Sequence, residues 1–373
     1  MSAIKILHAA DLHLDSPFEG LPANKAALRR AEQRELLGRL AELAQKEKVQ
    51  LVLLAGDLLD SDNSYYETGE ELARCLAGMG VPVFIAPGNH DYYTPKSPWA
   101  RLKLPGNVCV FREHEIRGVT LPALGVRVCG AAFLEKRSGP LLRGFTVPQG
   151  QGLRNILVLH GEVGGKPDSP YDPITEEELA ASGFDYVALG HIHRASGLKR
   201  AGKTWYAWPG CPEGRGFDET GEKTVNLVTL GDDGACTLET RCIAQRRYEE
   251  LRVDVTGADP LLAVHTLLPD ETVRDVYRIT LTGETEESPD LNRLRLNLEE
   301  LFFALQLRDE TRPREALWDR AGDDTLRGLF LKKLKAQYES APDEQARRVI
   351  EQAARWGLAA LDNREEVARH DDP

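Results

Sequence analysis

Five of the nine histidines, together with three aspartates and an asparagine, fall in short clusters at the ends of apolar runs. Asp11-Leu12-His13 follows IKILHAA, Gly56-Asp57 follows VQLVLLA, and Gly88-Asn89-His90-Asp91 follows VPVFIAP. His160 lies within ILVLHGEV, and Gly190-His191-Ile192-His193 follows DYVAL. Asp11, His13, Asp57, Asn89, His160, His191 and His193 are therefore seven hard or borderline metal donors without a thiolate among them. A set of imidazoles, carboxylates and one amide suits Mn²⁺, Fe²⁺ or Zn²⁺ better than Ca²⁺ or Mg²⁺. Seven donors are too many for one ion that must also receive substrate, but they divide well over two if a carboxylate bridges. Asp57 is the natural bridge, because Gly56 beside it removes bulk and allows approach from both sides. Two ions about 3.5 to 4 Å apart clamp the attacking and leaving oxygens of an in-line phosphoryl displacement and lower the pKa of bound water.

Such a set works only if a scaffold gathers the ends of distant strands. The runs IKILHAA (4–10), VQLVLLAG (49–56) and VPVFIAPG (81–88) are rich in β-branched residues and end in turn residues. Between the first two, leucines at 28, 36, 37, 40 and 43 mark an amphipathic helix whose charged side reads as a solvated face. A βαβαβ opening implies at least partly parallel strands, whose carboxyl ends line one edge of a sheet. Further strands are expected at NVCVF, VRVCGAAF, NILVLHGEV and DYVALGH. After residue 200 the pattern shifts to short extended runs, with TVNLVTLG and CTLETRCI joined at GDDGA as a hairpin. From about residue 246, YEELRVDV, VYRITLTG and LNRLRLNLEELFFAL read as a small α+β cap. Two helices close the chain, one carrying the row Leu326, Phe330, Leu334 and Tyr338, the other Ala346, Val349, Ile350, Ala353, Gly357 and Leu361.

Charge and cysteines narrow the function. The net charge of −12 argues against holding nucleic acid by bulk electrostatics, though it leaves room for a local groove. Residues 251–373 carry 18 basic and 26 acidic side chains, so most of that excess lies outside the histidine-rich part. With no apolar run of about 18 residues and no amino-terminal leader pattern, a soluble, unexported protein is expected. The six cysteines include no C-x-x-C pair, which fits reduced thiols in a cytoplasm.

The order D-x-H, G-D, G-N-H-D, H, G-H-x-H, running from Asp11 to His193, resembles the signature of the calcineurin-like metallophosphoesterases. ILHAADLHLDSPFEGL and WPGCPEGRGFDETGEK further resemble the DNA-repair exonuclease branch, which includes the SbcD and YhaO-type proteins. The resemblance implies an α/β sandwich of mixed sheets flanked by helices in residues 1–245, an α+β cap at 246–320 and a helical, partner-binding tail at 321–373. It puts Asp11, His13 and His193 on one metal and Asn89, His160 and His191 on the other, with Asp57 shared. His90 then faces the scissile phosphate and Asp91 orients its ring. It also implies two ions, Mn²⁺ foremost, and a nuclease acting on DNA with an SbcC-like coiled-coil ATPase, and it leaves a homodimer open. Rival readings are a small-molecule phosphoesterase, a scaffold without catalysis, and a (β/α)₈ metallohydrolase, which would open on H-x-H.

Other residues carry weaker readings. Tyr92 and Arg215 are placed to touch substrate, by stacking on a base and by pairing with phosphate, although each also suits ordinary loop packing. Asp15 and Asp60 read as supporting or capping groups rather than ligands. His8 reads as a buried, hydrogen-bonded core residue, and His114, His265 and His370 as surface or structural residues.

Overall fold

β1 (Ile4–Ala9), β2 (Leu51–Leu54), β3 (Val83–Ile85) and β4 (Val108–Val110) run parallel and adjacent in one six-stranded sheet. The expected hairpin, Thr224–Leu230 with Cys236–Cys242, completes it by pairing antiparallel to β1. A second six-stranded sheet is built on β6 (Val126–Gly130), β7 (Arg154–His160), Tyr186–Gly190 and Thr204–Ala207, all parallel. Its edges are antiparallel: β5 (Arg117–Leu121) on one side and Lys199–Ala201 on the other. The computed structural model describes residues 3–60, 65–148, 152–285, 287–313 and 317–361. His370 and the end of the expected tail lie outside them.

The strands read as continuous apolar runs because both of their faces are buried. Ile4, Ile6, Leu51, Leu53 and Phe84 point one way and pack against Val126, Val128, Ile156, Val158, Tyr186 and Ala188, so the two sheets meet face to face. Leu7, Ala9, Val52 and Leu54 point the other way, against α1 (Ala23–Lys46) and α2 (Tyr66–Gly78). The far face of the second sheet is covered by Phe133, Leu141, Leu179 and Phe184. This is the mixed-sheet α/β sandwich with flanking helices.

The α1 stripe is narrower than the leucine spacing suggests. Leu36, Leu37, Leu40 and Leu43 are buried, but Leu28 is 54% exposed. Its polar side is not simply solvated either: Arg29 is fully buried and donates to Glu32 at 2.8 Å, Glu213 at 2.5 Å and the Gly214 carbonyl at 3.0 Å. A guanidinium tolerates burial there because its fork meets two carboxylates and a carbonyl.

The chain separates into two compact units. The first takes in the residues up to Arg252 with Leu267–Thr280 and Asn292–Arg308; the second takes in Val253–Thr266, Leu281–Leu291 and the residues from Asp309 onward. Tyr248–Asp254, Val276–Thr282 and Ala304–Asp309 form a three-stranded sheet in that order. In the second unit, helices Leu326–Glu339 and Glu344–Leu361 pack together around Leu331 and Ala354. Gly357 gives way to the Phe330 ring, which would collide with any Cβ there. That notch turns Ala354 and Leu358 inward and leaves Val349 61% exposed, so the buried face of the last helix is rotated from the row the spacing suggests. Among the described residues, no helix is long and apolar enough to cross a membrane.

Candidate metal centre

Four of the five clusters sit in the turns that follow parallel strands, and His160 is the last residue of β7; three clusters come from the first sheet and two from the second. Asp11 (φ 54°), His13 (φ 45°), Asp57 (φ 51°) and His191 (φ 89°) adopt left-handed backbone. That conformation costs an L-residue roughly 1 kcal/mol or more, and its concentration here marks turns held by their surroundings. The holding is visible. The Asp11 amide donates to the Gly56 carbonyl at 3.0 Å and the His13 amide to the Asp57 carbonyl at 2.9 Å, which locks the first two turns together. Asp91, fully buried, accepts from the amides of Gly88 at 2.8 Å, Leu58 at 2.9 Å and Asp57 at 3.2 Å, so it ties the second turn to the third. Gly190 is required sterically, because a Cβ there would overlap the Ala55 carbonyl.

The donor atoms converge in two groups. His13 Nε2 and His193 Nε2 stand 3.2 Å apart, with Asp11 Oδ1 3.8 Å from the latter. On the other side Asn89 Oδ1 lies 2.9 Å from His160 Nε2 and 3.3 Å from His191 Nδ1. Asp57 Oδ2 falls between the groups, 3.3 Å from His160 Nε2 and 3.8 Å from His13 Nε2. Ligands about 2.1 Å from a shared ion, at angles from square to tetrahedral, stand about 3.0 to 3.4 Å from one another. The Nδ1 atoms of His13 and His193 both face carboxylates, so their Nε2 lone pairs face each other, an arrangement that suits a cation. The residues therefore fit a dinuclear metal site, and Asp11, His13 and His193 are also mutually close enough to hold one ion.

The calcineurin-like phosphoesterase family profile matches residues 4–195. The chain belongs to this family. It is 30% identical over 289 residues to the uncharacterized metallophosphoesterase YhaO of Bacillus subtilis, a match covering 72% of this chain and 68% of YhaO. It is 29% identical over 267 residues to the DNA double-strand break repair protein Mre11 of Aeropyrum pernix, covering 67% of this chain and 64% of that protein. It is 27% identical over 270 residues to the SbcD component of the nuclease SbcCD of Escherichia coli, covering 61% of this chain and 66% of the relative. The match to the Aeropyrum and Escherichia proteins thus spans just under two thirds of their length.

The phosphoesterase centre is electrostatically uneven. Burial disfavours a charge on Asp57, but the imidazoles of His160, His13 and His90 outweigh it and hold the carboxyl well below the usual range. Asp57 stands ionised, as a ligating carboxylate must. Burial would likewise strip His160 of its proton, yet Asp57 and Asp11 raise it to about 9. His191 goes the other way, lowered to about 3 by burial and by neighbouring His160.

His90 is the exposed member of the cluster, with 43% of its side chain accessible. Its Nδ1 lies 2.9 Å from the Asp60 carbonyl, which can only accept, so Nδ1 carries hydrogen and Nε2 is left for other chemistry. The ring-orienting role expected of Asp91 thus falls to Asp60, because the Asp91 carboxylate is committed to backbone amides. Asp60 also supports His13, with Oδ1 3.1 Å from Nδ1, and Asp15 accepts from Tyr65 N at 3.0 Å and Thr68 Oγ1 at 2.9 Å at the start of α2. Tyr92 is half-buried against the core on the far face of the second sheet. Arg215 is engaged by Glu219 and Asp60.

Two neighbours of the site escape a sequence reading. Glu219 Oε1 lies 2.7 Å from His193 Nδ1, and the Tyr171 ring lies 4.7 Å from the His191 ring. Neither follows an apolar strand, so neither carries the signal that marks the ligands. Among the other histidines, His8 is fully buried between Tyr186 Oη at 2.8 Å and the Leu189 carbonyl at 3.1 Å, and His114 and His265 are exposed.

Proposed function

We propose that this phosphoesterase is a two-metal phosphodiesterase that cuts DNA, acting as the nuclease partner of a coiled-coil ATPase. The observation that carries the reading is the convergence of seven donors in two groups around Asp57. Asp11, His13 and His193 would hold one ion, Asn89, His160 and His191 the other, and Asp57 would serve both. Bound ions, Mn²⁺ by preference, would supply Lewis acidity toward the phosphate oxygens and an acidified water.

The chain's own residues supply position and a proton. His90 meets the phosphate from the exposed side, its ring fixed by the Asp60 carbonyl, and delivers a proton from Nε2 to the leaving oxygen. Asp91 acts beneath it by fixing the turn from which His90 projects. Tyr92 helps shape that loop, while Arg215 neutralises Glu219 and Asp60 beside the site.

DNA as substrate is supported by relatives named as a double-strand break repair protein and as part of a nuclease. A partner subunit is supported by the two-part name of the SbcCD nuclease and by apolar residues left exposed on the last two helices, among them Leu326 and Val349; that the partner is an ATPase rests on the resemblance to the SbcD branch. In this reading residues 1–245 are the nuclease domain, 246–320 a cap and 321–373 the partner-binding segment of a cytoplasmic protein.

The deciding experiment incubates the purified chain and Mn²⁺ with end-labelled single- and double-stranded DNA beside a chromogenic phosphodiester. Cleavage of DNA is expected. Turnover of the small ester alone would replace this reading with a small-molecule phosphoesterase, and no turnover of either, with or without the ATPase, would favour a scaffold.

A further inference from the structure

The two halves of the centre are backed by different chemistry. Behind His193, Glu219 is 4% exposed and accepts from Nδ1 at 2.7 Å. Arg215 grips that carboxylate with two side-chain prongs, Nη2 2.6 Å from Oε1 and Nε 3.3 Å from Oε2, and its backbone amide lies 2.8 Å from Oε2. The same guanidinium reaches Asp60 Oδ1 at 3.3 Å, and Asp60 Oδ1 lies 3.1 Å from His13 Nδ1. Asp60, Arg215 and Glu219 therefore form one charged chain across the backs of His13 and His193. Arg215 Nη2 also comes within 3.2 Å of His193 Nδ1, but neither a guanidinium nor an N–H can accept. The shorter contact decides: a carboxylate at 2.7 Å requires hydrogen on Nδ1, and the lone pair of His193 is left on Nε2, toward the site.

Among the described residues, the other half has no carboxylate hydrogen-bonded behind its imidazoles; the nearest, Asp11 Oδ1, stands 4.0 Å from His160 Nδ1. His160 Nδ1 faces the neutral Ala55 carbonyl at 2.9 Å, and His191 turns Nδ1 itself inward while its ring rests on Tyr171. Beyond the shared Asp57, the first half offers the carboxylate of Asp11 and the second only the neutral amide of Asn89. A carboxylate behind a ligating imidazole fixes its tautomer and strengthens it as a donor, and losing such a partner typically weakens metal binding about 10- to 100-fold.

We propose that the Asp60–Arg215–Glu219 clamp makes the Asp11–His13–His193 half the tighter of the two metal sites, with Glu219 and Arg215 as positioning residues that set its affinity. The Asn89–His160–His191 half then fills second and exchanges more readily. Arg215 is needed because, without its cation, two carboxylates would face the same wall of the site unneutralised. This inference rests on the two-metal reading above.

The test is calorimetric titration of the metal-free full chain with Mn²⁺, with bound metal counted by elemental analysis and cadmium NMR reading each site separately. The unaltered chain should show two affinities. Glu219→Gln should weaken the tighter about 10- to 100-fold, leave the weaker within about threefold, and move one cadmium resonance. Arg215→Lys keeps the cation but loses the two-pronged grip and should weaken the same site by less. Thermal unfolding of the metal-free proteins establishes that each variant folds, and Arg215→Lys carries the test if Glu219→Gln does not. A folded variant that binds as the unaltered chain does, or that loses both affinities equally, overturns the clamp. An unaltered chain that takes up only one ion overturns the two-metal reading itself.

Discussion

His90 and Asp60 are joined ring to backbone, with His90 Nδ1 2.9 Å from the Asp60 carbonyl, while Asp60 Oδ1 lies nearer to His13 Nδ1, at 3.1 Å, than to His90 Nδ1, at 3.9 Å. One residue thus holds the exposed ring of His90 and the buried ring of His13, through different atoms.

The two jobs separate by mutation. His90→Ala should lower turnover of a phosphodiester by about 10²- to 10⁴-fold, the usual worth of a positioned acid, while two ions remain bound. Asp57→Ala should lose metal as well as activity, since both groups of donors face its carboxylate. Steady-state kinetics paired with elemental analysis of each variant checks this. Near-normal turnover by His90→Ala would end the acid assignment.

Asp91 should matter for stability before it matters for chemistry. Asp91→Ala leaves the buried amides of Gly88, Leu58 and Asp57 without their acceptor, at about 1 to 3 kcal/mol each. A fall in melting temperature of several degrees is expected in the metal-free chain, measured with chelator present. An unchanged melting temperature would show that water takes over those amides.

His8 gives a pH dependence independent of metal. Burial lowers it from the ordinary 6.5 to about 3, with the Leu189 carbonyl pulling weakly the other way. Between those values the unfolded chain binds a proton that the folded chain refuses, so stability rises with pH in that window. The contribution is whole above pH 6.5 and is lost on acidification, at about 1.4 kcal/mol per unit. His8→Gln keeps hydrogen-bonding groups but does not titrate. On going from about pH 7 to about pH 5 it should lose about 2 kcal/mol less than the unaltered chain, as read from urea unfolding at the two pH values.

Deleting residues 322–373 should leave Mn²⁺-dependent hydrolysis of a small phosphodiester intact and abolish co-purification with the ATPase. Leu326, at 71% exposed, and Val349 are not covered by the helical pair itself. A truncated chain that still captures the ATPase at full affinity would move the interface elsewhere.

The seven donors are legible in the sequence because each sits where an apolar run stops, and runs buried on both faces are easy to see. The parallel run of β1, β2 and β3 follows from the alternation of strand and helix. Glu219 is not legible, since the fold rather than the chain carries it to His193. Arg29 looks solvated because burial of a guanidinium depends on partners 184 and 185 residues away. Asp91 looks like a ring partner because adjacency in sequence says nothing about which way a carboxylate turns. The last helix reads in the wrong rotation because a glycine notch, not a run of apolar residues, chooses its buried face.

The hydrogen bonds of Asp91 bear on speed as well. They satisfy the ligand turns with protein groups alone, so an arriving ion finds the second and third turns already shaped and has no loop to order. The slow step of loading should then be the shedding of water by the ion, and a readily dehydrated Mn²⁺ should enter faster than Mg²⁺, which gives up its waters reluctantly.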